Sequence, residues 1–120
     1  MKILIIDDEE DVRRIAHISL THVGGHEVIE AAGGAAGIEK ARAEQPDAIL
    51  LDVMMPAMDG PATLAQLQAD ASTRVIPVVF VTARAMTAEI ERLRSLGARG
   101  VLIKPFDAMT LPHDLAGVLS

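Results

Sequence analysis

Five short apolar runs recur along the chain: Ile3–Ile6, Val28–Ala32, Ala48–Leu51, Val78–Val81 and Val101–Ile103. Each reads as a short strand, and Ile3–Ile6, continuous in branched aliphatic residues, carries the mark of a strand buried on both faces. Helical spacing returns after every run. Val12, Ile15, Ala16, Ser19, Leu20 and Val23 follow the first, and Ala35, Ile38 and Ala41 the second. Leu64 and Leu67 follow the third run, Ile90, Leu93 and Leu96 the fourth, and Leu111, Leu115, Val118 and Leu119 the fifth. Acids in its first turn suit the dipole of the first helix, and Gly24-Gly25 stops it. Gly37 weakens the second helix by about 1 kcal/mol relative to Ala. Pro61 fits the first position of the third helix, Gly97 ends the fourth, and Pro112 blurs the start of the fifth. Strands alternating with helices through short connections demand right-handed crossovers and helices on both faces. The expected fold is a doubly wound α/β sandwich with a five-stranded parallel sheet. At 120 residues one core is affordable and two are not, so residues 1–120 are read as one domain.

The apolar runs end on polar residues. Asp7-Asp8 closes the first, Asp52 the third, Thr82 the fourth and Lys104-Pro105 the fifth. In a parallel α/β sheet those ends share one edge, where ligand and catalytic sites form. Two carboxylates ~4 Å apart repel by roughly 4 kcal/mol at an effective dielectric near 20, so three of them need a cation. All-oxygen donors without nearby His or Cys suit a hard divalent ion, Mg²⁺. Such a cluster is the skeleton of a phosphoryl-transfer site. A carboxylate can attack phosphorus, and the rest of the catalysis is positioning and electrostatics.

Composition removes other classes. With 17 acids against 11 bases the net charge is −6, and nucleic-acid binding by this domain is not expected. There is no Trp or Tyr, and Phe stands only at 80 and 106, so stacking surfaces for bases are missing. No cysteine is present, which excludes disulfides, a thiolate nucleophile and thiolate zinc sites. No apolar stretch approaches the ~20 residues of a membrane span, and Met1–Asp8 lacks the h-region of a secretory leader. A cytoplasmic location without membrane partners is expected. His17, His22, His26 and His113 form no metal-ligand pattern.

Laid out this way, the chain resembles the receiver domain of bacterial two-component response regulators, of the CheY-like, flavodoxin-like kind. The likeness spans the whole chain and rests on Ile5-Ile6-Asp7-Asp8, Leu51-Asp52-Val53-Met54-Met55-Pro56, Met58-Asp59-Gly60, Val81-Thr82-Ala83 and Lys104-Pro105-Phe106. It implies strand order 2-1-3-4-5 and a cis Lys104–Pro105 bond. It implies that Asp52 is the phosphoacceptor, supplied by a sensor histidine kinase or a histidine phosphotransfer protein. Asp8 and Asp52 would ligate Mg²⁺ by carboxylate, Met54 by its backbone carbonyl, and Asp7 directly or through water. Thr82 would bond a phosphoryl oxygen, and Lys104 would pair with Asp52 or its phosphate. The chain would assist its own phosphorylation and dephosphorylation without being an enzyme in the usual sense. A change at Thr82 would switch binding to a downstream partner or output domain. The outer side of the first helix, near Arg14 and Ile18, would dock the phosphodonor.

Two positions depart from the family pattern. Val101 stands where an aromatic ring commonly turns inward during switching, and Arg84 lies two residues after Thr82, where side chains tune phosphate lifetime. Met54 is expected to lean over the site. Three other readings compete with a working receiver. A haloacid-dehalogenase-type phosphatase also forms an aspartyl phosphate, but it carries Asp-x-Asp on its first strand. A flavodoxin-like electron carrier needs phosphate loops and aromatics that are missing here. A degenerate receiver acting only as a binding module is disfavoured by the full set of site residues.

Overall fold

The computed structural model describes residues 1–120. Strands β1 (Lys2–Ile6), β2 (Glu27–Ala31), β3 (Ala48–Asp52), β4 (Val78–Thr82) and β5 (Gly100–Ile103) alternate with five helices. These are α1 (Glu10–Ile18), α2 (Gly34–Glu44), α3 (Gly60–Ala69), α4 (Thr87–Ser95) and α5 (Leu111–Leu119). All strand pairs are parallel and the order is β2-β1-β3-β4-β5. That is the doubly wound, flavodoxin-like sheet expected from the sequence.

The two-residue period of the strands divides the core between two faces. Leu4, Ile6, Ile49, Leu51, Val78 and Phe80 pack with Ile38 and Ala41 of α2, Leu64 and Leu67 of α3 and Leu93 of α4. Ile3, Ile5, Leu50, Val79 and Val81 pack with Ala16 and Leu20 of the first helical segment and with Leu111 and Leu115 of α5. Gly37 has a packing reason that offsets its low helix propensity. A Cβ there would lie 2.4 Å from Ile6 Cδ1, so any side chain at this position would have to displace the buried Ile6 for α2 to close on β1. Pro61 and Pro112 both fall in the first turn of their helices, where a missing N–H leaves no intrahelical bond unmade. Asp59 caps α3 by accepting from the Ala62 N–H at 2.9 Å.

The first helix departs from its expected stripe. After Ile18 it widens into a π-helical turn, Ser19–Val23, in which the Gly24 N–H donates to the Ser19 carbonyl. The wider turn delays the helical phase, so Leu20 stays buried while Val23 comes round to solvent. Ile15 is also exposed, beside Phe106 and Pro105 in a groove along α1. Ile18 is exposed as its position off the stripe implied. In α2 the inward face is Gly34, Gly37, Ile38 and Ala41, leaving Ala35 outside. Leu96 ends the α4 stripe more than a third exposed.

Candidate functional site

Strand parity continues past the strand ends. Asp7 continues the face of Ile3 and Ile5, Asp52 that of Leu50, and Lys104 that of Leu102, all on the α1–α5 side. Their side chains meet. Lys104 Nζ donates to Asp7 Oδ2 at 3.0 Å and to Asp52 Oδ1 at 3.2 Å. Glu9 Oε1 lies farther from the ammonium, at 3.7 Å. Asp7 and Asp52 are buried, Asp8 is exposed at the pocket's open side, and carboxylate oxygens of all three lie within 4.8 Å of one another. The Lys104–Pro105 bond is cis.

Each group is held in place locally. The Asp7 N–H continues the ladder to Ala31 O at 3.1 Å, and Asp7 Oδ1 accepts from the Glu9 N–H at 2.8 Å. The Asp52 carboxyl is held by the Lys104 ammonium on its Oδ1. Behind Asp52 the chain returns so closely that Gly60 donates its N–H to Val53 O at 2.9 Å. A Cβ on Gly60 would stand 2.5 Å from the Asp52 carbonyl. Thr82 has the opposite parity and faces the α3–α4 side. It is buried, and its Oγ1 accepts the Arg84 N–H at 3.1 Å. Met54 is 67% exposed. Val101 pairs with Phe80 across the β4–β5 ladder and is partly buried against the α2–α3–α4 side of the core.

Electrostatics follow from this placement. Burial, and then the charge of Asp7, push the Asp52 carboxyl up to about 6, against a weaker opposing pull from Lys104. Burial also opposes the charge on Lys104, but bonds and charges from Asp7 and then Asp52 outweigh it and hold the ammonium above its ordinary value. One cation shared between two carboxylates leaves Asp52 under-compensated. Three carboxylates with one ammonium leave two negative charges, which one divalent cation would balance. The donors are hard oxygens on one open-sided cluster, and that chemistry fits Mg²⁺.

Sequence reasoning missed some supporting residues. Arg13 donates to the Asp7 backbone carbonyl and pairs with Glu30. The signal was an acid in the middle of an apolar strand. Gly60 stands in the Met58-Asp59-Gly60 run, but the spacing of that run gave no sign of its tight contact with Asp52.

A doubly wound sheet with an acidic cluster and a lysine at its strand ends defines a phosphoryl-handling α/β protein. Comparison narrows this. The family described as "Response regulator receiver domain" matches residues 3–116, and the chain belongs to that family. The Pseudomonas aeruginosa protein PilH is 36% identical over 120 residues, covering 99% of this chain and 98% of that protein. The probable transcriptional regulator ycf27 of Pyropia yezoensis is 34% identical over 118 residues, but the chain spans only 47% of its length. The Vibrio cholerae chemotaxis response regulator CheY4 superposes with a TM-score of 0.90 at 30% identity, over 98% of this chain and 97% of that one. The function this membership carries is phosphorylation-controlled signalling. Neither the phosphatase nor the electron-carrier reading is favoured.

Proposed function

We propose that Asp52 is the phosphoacceptor of this receiver and that Asp8, Asp52 and the Met54 carbonyl hold Mg²⁺, with Asp7 direct or through water. The observation that carries the proposal is the convergence of Asp7, Asp8, Asp52 and Lys104 on one pocket, with Asp52 buried. A carboxyl that loses its proton near pH 6 is ionised and nucleophilic at neutral pH. Lys104 occupies Oδ1, leaving the second oxygen to attack phosphorus. The Asp52–phosphorus bond forms as the phosphorus–nitrogen bond of a donor phosphohistidine breaks, and the imidazole leaves with that electron pair. Bound Mg²⁺ would supply charge neutralisation for the oxygens around phosphorus. Lys104 stays within reach of the same oxygens. This self-assisted chemistry serves a signalling protein, not a general phosphatase.

The donor is a sensor histidine kinase or a histidine phosphotransfer protein, and its docking side is the exposed face of α1 around Arg14 and Ile18. Kinases of this kind draw on ATP inside the cell, which favours a cytoplasmic location. Downstream lies a partner or output domain engaged after phosphorylation. Thr82 is the residue that answers the phosphate. Its hydroxyl is tied to the Arg84 N–H, so turning it toward a new phosphoryl oxygen releases the start of the β4–α4 loop. Ala83 to Ala88 are all exposed, and such segments open at low cost. Val101 has no ring to rotate, so the change travels through segment 83–96.

The test is phosphorylation by acetyl phosphate with Mg²⁺, read by intact mass. One adduct per chain on wild type, lost without Mg²⁺ and lost in Asp52→Asn, supports the assignment. Equal labelling of Asp52→Asn rejects it.

A further inference from the structure

Behind the carboxylate cluster lies a second polar group that the phosphoryl chemistry does not touch. The Arg13 side chain, at the start of α1, is only 15% exposed. Its Nε donates to Glu30 Oε1 at 3.1 Å, and its Nη1 donates to the backbone carbonyl of Asp7 at 2.7 Å. His17, one helical turn on and on the same face, has its Nδ1 2.7 Å from the other Glu30 oxygen. Helix α1 and edge strand β2 therefore grip, through one guanidinium, the carbonyl that joins Asp7 to Asp8.

That carbonyl lies just beyond the end of the β1 ladder. The Asp7 N–H is still bonded to Ala31 of β2, and the carbonyl takes its bond from Arg13. Fixing both groups fixes the peptide plane between the two aspartates, and with it the direction in which the chain enters Asp8. Asp8 is exposed, so the backbone is what aims its carboxylate. We infer that Arg13 is a positioning residue for the metal site. It aims Asp8 through the Asp7 carbonyl, while Glu30 and His17 hold the guanidinium in that pose. The inference rests on the Mg²⁺ reading above.

Arginine is required by the geometry. Two N–H groups at a fixed angle serve two partners at once, whereas a lysine ammonium on a flexible stem is not pre-organised for that fork. Groups that orient metal ligands from behind typically change metal affinity by about 10- to 100-fold when removed.

Mg²⁺ binding by the full chain decides the matter, measured by calorimetry and by the backbone amide shift of Asp8 in NMR titrations. Arg13→Lys and Arg13→Ala are expected to bind Mg²⁺ about tenfold or more weakly, and Glu30→Gln to fall between them and wild type. The Mg²⁺ concentration for half-maximal acetyl phosphate labelling should rise by the same factor, with labelling at saturating Mg²⁺ preserved. Arg42→Ala breaks an ion pair with Asp70 away from the pocket and should bind as wild type does. If Arg13→Ala fails to fold, Arg13→Lys and Glu30→Gln give the answer. Unchanged Mg²⁺ affinity in the folded Arg13 variants, even with a lower melting point, would overturn the inference and leave Arg13 a fold brace. A wild type that binds no Mg²⁺ would instead overturn the proposed function, and this inference with it.

Discussion

Asp52→Asn is expected to stabilise the metal-free protein at neutral pH, although it removes the proposed reactive group. The native Asp52 carboxyl holds its proton up to about 6, against an ordinary 3.8. The folded state therefore binds that proton more tightly than the unfolded chain does. Stability contributed by this group rises as pH falls through about 6 and levels off below the ordinary value. At pH 7.5 the fold carries an ionised group that burial and Asp7 disfavour. A gap of about two pH units, at 1.36 kcal/mol each, sets a ceiling of about 3 kcal/mol. Relaxation and solvent screening around the carboxylate lower the expected gain to about 1–2 kcal/mol, or about 4–8 °C in melting temperature for a domain of this size. Asn fills the same volume without the charge and should show that gain in thermal melts at pH 7.5 with a chelator. Because wild-type Asp52 is mostly protonated in the fold at pH 5, the difference should shrink by about half there. Saturating Mg²⁺ should reverse the order, since the wild type binds it more tightly. An Asn variant that melts at or below wild type at pH 7.5 without metal, or a gap that widens at pH 5, would refute the reasoning.

Mg²⁺ at 100 times its Kd should stabilise the wild type by about 2.7 kcal/mol. Thermal melts should show this response reduced more by Asp8→Asn than by Asp7→Asn, and a wild-type melt indifferent to Mg²⁺ would count against the site. Gly60→Ala should cost about 1–3 kcal/mol in urea unfolding and slow Asp52 labelling, because its Cβ would press on the Asp52 carbonyl. Thr82→Ala should still be labelled but lose the beryllofluoride-dependent change in hydrogen exchange across segment 83–96. Val101→Ala should keep both, and exchange changes centred on Val101 with a silent 83–96 segment would contradict the proposed route.

The layered fold was legible because a two-face-buried strand has a stark signature. Ile3–Ile6, Ala48–Leu51 and Val78–Val81 have no polar face to confuse with a surface strand, and parallel pairing follows from the helices between them. The polar residues at strand ends were legible for the same reason, since topology alone brings Asp7, Asp52 and Lys104 to one edge. The strand order came from likeness to a known family, not from periodicity. Other features depended on the three-dimensional arrangement. Helical spacing says which residues share a face but not how much neighbouring chain covers it, so Ile15, Val23 and Ala35 were assigned inward and lie outside. The π-helical turn at Ser19 sits where this segment packs against α5, close enough that a Cβ at Gly24 would lie 2.8 Å from Pro112. Arg13 reads in the sequence as one more surface charge on an acidic helix start. Only the approach of β2 to α1 puts Glu30 beside it and the Asp7 carbonyl within 2.7 Å. The elevated proton affinity of Asp52 likewise has no local cause. It comes from burial among strands far apart in the chain and from the charge of Asp7, with Lys104, divided between the two carboxylates, opposing the rise only in part. Periodicity is a property of neighbours along the chain, whereas desolvation and shared charge belong to neighbours in space.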